Sequence, residues 1–233
     1  YSCLTQFPTA AIHDPEIVAT VPSHLTIWGA MDILSHTFEF YLNGDSQSET
    51  QACVSEAILR ATMTAIEHVV QSPGDLWATG ELMWNAVLAW GGLTKIGRGD
   101  PDMTCHSIEE SFSGYFDTHH GACLGVLTPI WMTHVSTDVP EPFARFARNV
   151  MNIDETDDST AAKRGIERYI EWLDSVGAPK RFADFGPPAL FTDQAFTTVA
   201  TNCMRIYHGS IGRLAPLTDT AEVVAILKRG REG

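Results

Sequence analysis

The chain has 233 residues, 44% of them hydrophobic and 19% charged, with a formal net charge of −14 at pH 7 and an isoelectric point near 4.9. That is enough chain for one well-buried domain and too apolar for disorder, while the 15 scattered basic residues disfavour a nucleic-acid or anionic-membrane partner. Cys3, Cys53, Cys105, Cys123 and Cys203 form no C-x-x-C pair, which argues against a disulfide framework or a thiolate zinc knuckle; no apolar run reaches the ~20 residues that span a bilayer, so the expected compartment is a reducing cytoplasm.

In chain order, residues 1–20 hold a short β-compatible stretch at 9–12 followed by His13-Asp14-Pro15, which reads as a strand or linker remnant entering another architecture. From Pro22 the pattern turns helical. Ala57, Ile58, Ala61, Ala65, Ile66, Val69 and Val70 recur at helical spacing until Ser72-Pro73-Gly74 stops them. A more apolar helix with Trp77, Trp84 and Trp90 is expected over 75–95. Residues 122–131 are almost wholly apolar, as suits a helix buried in a bundle. Ala162, Ile166, Ile170 and Leu173 form another stripe, with Ser159 as its expected cap and Gly177 and Pro179 as its stop. Further helices are expected at 193–207 and 220–229, the last opened by Asp219 with Glu222 three residues on. Strand signals nearly vanish after residue 20, so residues 21–233 read as one all-α domain.

Four residues stand out against this background. Asp32 and His36 lie at i and i+4 in GAMDILSHTFEFYL, which stacks both side chains on one helical face. His106 lies in CHSIEESFSGYFDTHHGACLGVL, and a Gly-containing break separates it from His120. One carboxylate and three neutral imidazoles suit Fe(II) or Zn(II), and four protein ligands leave a position for substrate. His119 competes with His120. Position 120 is preferred because Gly121 and Ala122 after it let the backbone come close to an ion. His13, His24, His68, His134 and His208 have no partners at ligand spacing. Glu110 shares the His106 face; it is either an exposed i, i+4 neighbour or a group that orients an imidazole or handles a proton beside a metal. Trp28, Trp84, Phe112, Phe116 and Trp131 line either a substrate pocket or the plain core.

At these residues the sequence resembles the iron-containing (group III) alcohol dehydrogenases of the dehydroquinate-synthase-like superfamily, in their butanol-dehydrogenase-like branch. The segments DPEIVATVP and GAMDILSHTFEFYL carry the likeness, together with MWNAVLAWGGL, CHSIEESFSGYFDTHHGACLGVLTPIWM and the tail APLTDTAEVVAIL. The resemblance implies the metal-binding helical domain of that fold, with Asp32, His36, His106 and His120 as ligands, and it selects His120 over His119. It also marks Glu110 as a departure, since the family often carries a histidine there. Family members begin with a nucleotide-binding domain, whereas GGLTKIGRG at 91–99 follows a helix and fails the structural test for a dinucleotide fingerprint. The expectation is therefore the metal- and substrate-binding half of a two-domain enzyme that lacks its nucleotide domain, as a fragment or a truncated product.

The activity implied is NAD(P)-linked interconversion of an alcohol with an aldehyde or ketone, with Fe(II) favoured over Zn(II) and no turnover by this half alone. Two rivals are a non-catalytic metal-binding or assembly remnant, and an HD-type hydrolase prompted by His13-Asp14, whose position before Pro15 disfavours the helix that motif needs. The physiological alcohol, NAD against NADP, and the oligomeric state, a homo-oligomer included, are left open.

Overall fold

A computed structural model describes residues 8–43 and 48–233; Cys3 and the first part of the 1–20 segment lie outside them. Among the described residues ten α-helices follow one another: α1 (Pro15–Val18), α2 (Ser23–Tyr41), α3 (Glu49–Gln71), α4 (Leu76–Trp90), α5 (Thr104–Phe116), α6 (His120–Val135), α7 (Glu141–Asn149), α8 (Asp158–Ser175), α9 (Asp193–Ile206) and α10 (Thr220–Glu232). Two 3-10 turns, Phe182–Asp184 and Pro188–Leu190, lie between α8 and α9. The only β-type pairing among the described residues is an isolated bridge between Ile211 and Leu217.

Two apolar clusters meet along α6. Leu124, Trp131, Met132 and Val135 join the core built from α2, α3, α4, α7 and α8. Cys123, Val126 and Leu127 join the core of α5, α9 and α10. A helix buried on both sides must be apolar all round, which explains its sequence. Pairs of helices close on short turns: Gly74, at φ +81°, turns α3 into α4, and Asp75 then caps α4 by accepting from Ala78 N at 2.8 Å. The capping box at Asp219 and Glu222 forms as the sequence indicates.

Four expectations need correction. Residues 9–12 form no strand; they are irregular and exposed, with no neighbouring strand to pair with. Asp14 caps the short α1 by accepting from Glu16 N at 3.0 Å, and Pro15 occupies the first helical position, where its missing N–H is no loss. The 75–95 helix ends at Trp90, because Gly91 and Gly92, the latter at φ +99°, release the chain into turns; Trp77, Trp84 and Trp90 are exposed on it, so Trp84 belongs to no core. Finally, Asp157 and not Ser159 caps α8: its Oδ1 accepts from Thr160 N at 2.9 Å, while Ile170 at the edge of the stripe reaches solvent.

The Gly-rich segment after α4 has a structural role at the end of α2. Arg98 is buried there, donating from Nε to Phe40 O at 2.9 Å and from Nη2 to Tyr41 O at 2.7 Å. These are carbonyls that the helix leaves without intrahelical partners. The clasp fixes the C-terminal end of the helix that carries Asp32 and His36.

Candidate metal centre

Three helices deliver the four residues singled out by spacing. Asp32 and His36 come from one face of α2, His106 from the first turn of α5, and His120 from the first residue of α6. The α5–α6 connection is short, and Asp117 adopts φ +54° to reverse the chain. α6 then crosses α2 closely enough that a Cβ on Gly121 would lie 2.0 Å from Trp28 O. Only glycine permits that approach, and it is this approach that carries His120 to α2.

The three imidazoles converge on a single oxygen. Asp32 Oδ1 lies 3.3 Å from His36 Nε2, 3.3 Å from His106 Nε2 and 3.5 Å from His120 Nε2. Ligand atoms about 2.0–2.1 Å from a tetrahedral ion stand roughly 3.4 Å apart, so the spacing is that of a coordination shell. Asp32, His36 and His106 form a group whose ligand atoms all fall within 4.8 Å of one another. Asp32 Oδ1 and His106 Nε2 are buried without a hydrogen-bond partner, a costly state unless something else occupies them. A divalent ion fits the donor set and the orphaned atoms. The site opens on one side: His106 is 4% exposed, whereas Asp32 and His120 are 32% and 43% exposed.

His119 does not reach Asp32; its ring packs edge-on against Trp28 at 4.9 Å. Trp28 also packs edge-on against His24 and Phe185. On the other side the His36 ring lies between His106, stacked at 4.2 Å, and Trp90 at 4.5 Å. Phe112 and Trp131 are plain core, and Trp84 faces solvent.

Glu110 is exposed and accepts a hydrogen bond from Tyr207 Oη at 2.5 Å. The carboxylates that touch the imidazoles are two that the spacing argument passed over. Glu39 Oε2 is 2.5 Å from His106 Nδ1, and its Oε1 accepts from His106 N at 3.2 Å. Glu109 Oε2 contacts His120 Nδ1, and its other oxygen accepts from Ser113 Oγ. Both are fully buried, Glu39 at 2% and Glu109 at 0% exposure. A signal for each was present: Glu39 interrupts an apolar run, and Glu109 shares the buried stripe of Cys105, Ile108 and Phe112, from which Glu110 is rotated away.

Charge in the metal-free site follows from these contacts. Burial would raise Asp32, but His106 and His120 outweigh it and hold the carboxyl well below its usual range. Burial lowers His36 to about 4 against the pull of Asp32. Burial also opposes charge on His106, yet Asp32 and Glu39 raise it to about 9. Contacts with Asp32 and Glu109 raise His120 to about 10.

The profile described as "Fe-containing alcohol dehydrogenase family, C-terminal" matches residues 26–230. NADH-dependent butanol dehydrogenase A of Clostridium acetobutylicum is 32% identical over 224 residues, which are 95% of this chain and 56% of that protein. The probable NADH-dependent butanol dehydrogenase 1 of Bacillus subtilis is 29% identical, again over 95% of this chain and 56% of the relative. The crystal structure of NADH-dependent butanol dehydrogenase A from Thermotoga maritima superposes with a TM-score of 0.89 at 30% identity, covering 98% of this chain and 57% of that one. The chain thus spans about 56% of the length of these curated relatives. It belongs to the iron-containing alcohol dehydrogenase family, in its butanol-dehydrogenase-like branch, and folds as that family's C-terminal helical domain.

Proposed function

We propose that Asp32, His36, His106 and His120 bind one divalent ion, Fe(II) in preference to Zn(II), and that the chain is the metal- and substrate-binding half of an NAD(P)-linked alcohol dehydrogenase. The observation that carries this reading is the convergence of three imidazole Nε2 atoms on Asp32 Oδ1, with buried donor atoms that have no other partner. An ion held there supplies Lewis acidity, which lowers the pKa of an alcohol hydroxyl and polarises an aldehyde carbonyl.

The chain's own residues set the terms of that chemistry. Asp32 and the three neutral imidazoles would leave a bound divalent ion with a net charge near +1, so this ligand set would favour the anionic over the neutral form of a hydroxyl beside it. The more exposed Asp32 and His120 side is where a small alcohol or aldehyde enters, with Trp28 beside it to cover the substrate's carbon chain and exclude water. The hydride acceptor is held outside the residues described here. The butanol dehydrogenases that the chain resembles are NADH-dependent, which puts NAD ahead of NADP for a full-length protein containing this chain. Alone, the chain binds metal and does not turn over. Nothing favours the HD-type alternative: His13 and Asp14 are exposed and Asp14 is used as a helix cap. No helix among the described residues is long and apolar enough to cross a membrane.

Elemental analysis of the purified chain beside Asp32→Ala and His106→Ala tests the assignment. About one equivalent of metal is expected in the wild type and a large loss in both variants. Undiminished metal in both would remove the site from consideration. Oxidation of butanol with NAD by the purified chain alone would refute the expectation that it is inactive.

A further inference from the structure

Imidazole can ligate through either nitrogen, so a histidine ligand has to be aimed as well as placed. His36 needs little aiming, because it shares α2 with Asp32 one turn away. Its Nδ1 is buried and has no hydrogen-bond partner, and its ring is held between that of His106, on which it stacks, and the tilted ring of Trp90. His106 and His120 arrive on other helices and must point across interhelical gaps. Each of these two has a buried carboxylate at its Nδ1, and in each case the carboxylate comes from the preceding ligand-bearing helix.

We propose that Glu39 and Glu109 are positioning residues of the metal site: Glu39 on α2 fixes His106 on α5, and Glu109 on α5 fixes His120 on α6, each by accepting the Nδ1 proton so that Nε2 offers its lone pair inward. The inference rests on the metal reading above. It explains why two carboxylates are kept in a core where apolar residues of similar volume would pack without the desolvation penalty of a buried charge. It also accounts for the second oxygen of each group. Glu39 Oε1 accepts from the His106 amide and Glu109 Oε1 from Ser113 Oγ, so neither carboxylate can rotate away from its imidazole without losing another bond.

The test uses the purified chain with cobalt(II) as probe, its affinity read by competition with a chelator and its geometry by the visible d–d bands. Glu39→Leu and Glu109→Leu are each expected to bind cobalt about 10- to 100-fold more weakly than wild type with shifted bands. Glu39→Gln and Glu109→Gln keep an oxygen acceptor and recover part of the loss. Ser113→Ala, which touches only the far oxygen of Glu109, loses less than Glu109→Leu. Wild-type affinity and unchanged bands in both leucine variants would overturn the positioning role while leaving the metal site intact. Absence of cobalt from the wild type would overturn both. Nitrogen-15 spectra of the zinc-loaded wild type give an answer that needs no variant: His106 and His120 must carry their protons on Nδ1, and either one protonated on Nε2 contradicts the proposal.

Discussion

Gly121→Ala isolates the contact on which the site depends. The added Cβ would lie 2.0 Å from Trp28 O and 2.7 Å from Trp28 C, with Gly29 N at 3.4 Å. The obstacle is helix backbone, which cannot swing aside, so α6 must retreat from α2 by roughly 1.4 Å to restore ordinary contact. Overpacking of this kind costs about 1–3 kcal/mol, and a rigid neighbour puts it at the upper end. For a chain of this length that corresponds to a fall in melting temperature of about 6–12 °C, at about 2–4 °C per kcal/mol. The displacement also exceeds the tolerance of a coordination shell, about 0.2 Å, and His120 is the residue next to the substitution. Thermal unfolding of the metal-free chain and cobalt affinity of the folded chain are the two measurements. Gly114→Ala is the control, since its Cβ would meet nothing within 4 Å and alanine in an exposed helix gains about 0.5–1 kcal/mol over glycine. A Gly121→Ala protein that melts with the wild type and binds cobalt equally well would show that this contact does not set the position of His120.

Four further expectations follow from the structure. In the metal-free chain His106 and His120 have folded pKa values of about 9 and about 10, above the unfolded value of about 6.5. Their stabilisation is therefore complete below the unfolded value and lost as pH rises through the folded values, so the chelator-treated chain should melt lower at pH 10 than at pH 7, and no difference would contradict this. Metal binding must displace those same protons; titration in weakly buffered solution at pH 7 should show proton release on cobalt addition, and its absence would count against His106 and His120 as ligands. Gly165→Ala, whose Cβ would sit 2.3 Å from Ala147 Cβ where α7 meets α8, should destabilise the fold by about 1–3 kcal/mol without changing cobalt affinity, and a matching fall in affinity would mean that the α7–α8 pair is coupled to the site. Asp219→Ala removes one side of the capping box and should cost about 1 kcal/mol in denaturant unfolding.

What the sequence disclosed about the site followed from spacing within single helices. Asp32 and His36 could be paired because i and i+4 define one face, and His120 could be preferred to His119 because a glycine follows it. Glu39 and Glu109 required knowledge of which helix lies behind which imidazole, a property of the packing between α2, α5 and α6. Glu109 and Glu110 are adjacent, yet about 100° of helical rotation sends one into the core with Phe112 and the other to Tyr207 at the surface. The exposed tryptophans of α4 show the same difficulty in reverse. The sequence marked their helix only as apolar, and the packed structure shows that α2 and α3 cover the opposite face through Ala78, Leu82 and Ala89.

The lodging of His36 against Trp90 gives the molecule an optical property. Of the six tryptophans in the chain, Trp90 lies with its ring 4.5 Å from an imidazole of the cluster, while Trp77 and Trp84 stand elsewhere on the exposed face of α4. An open-shell ion bound at His36 would offer low-lying d states to accept excitation from so close an indole; closed-shell zinc would offer none. Part of the indole emission of this chain is therefore expected to fall on loading with an open-shell ion and to persist with zinc, a comparison that needs no label attached to the protein.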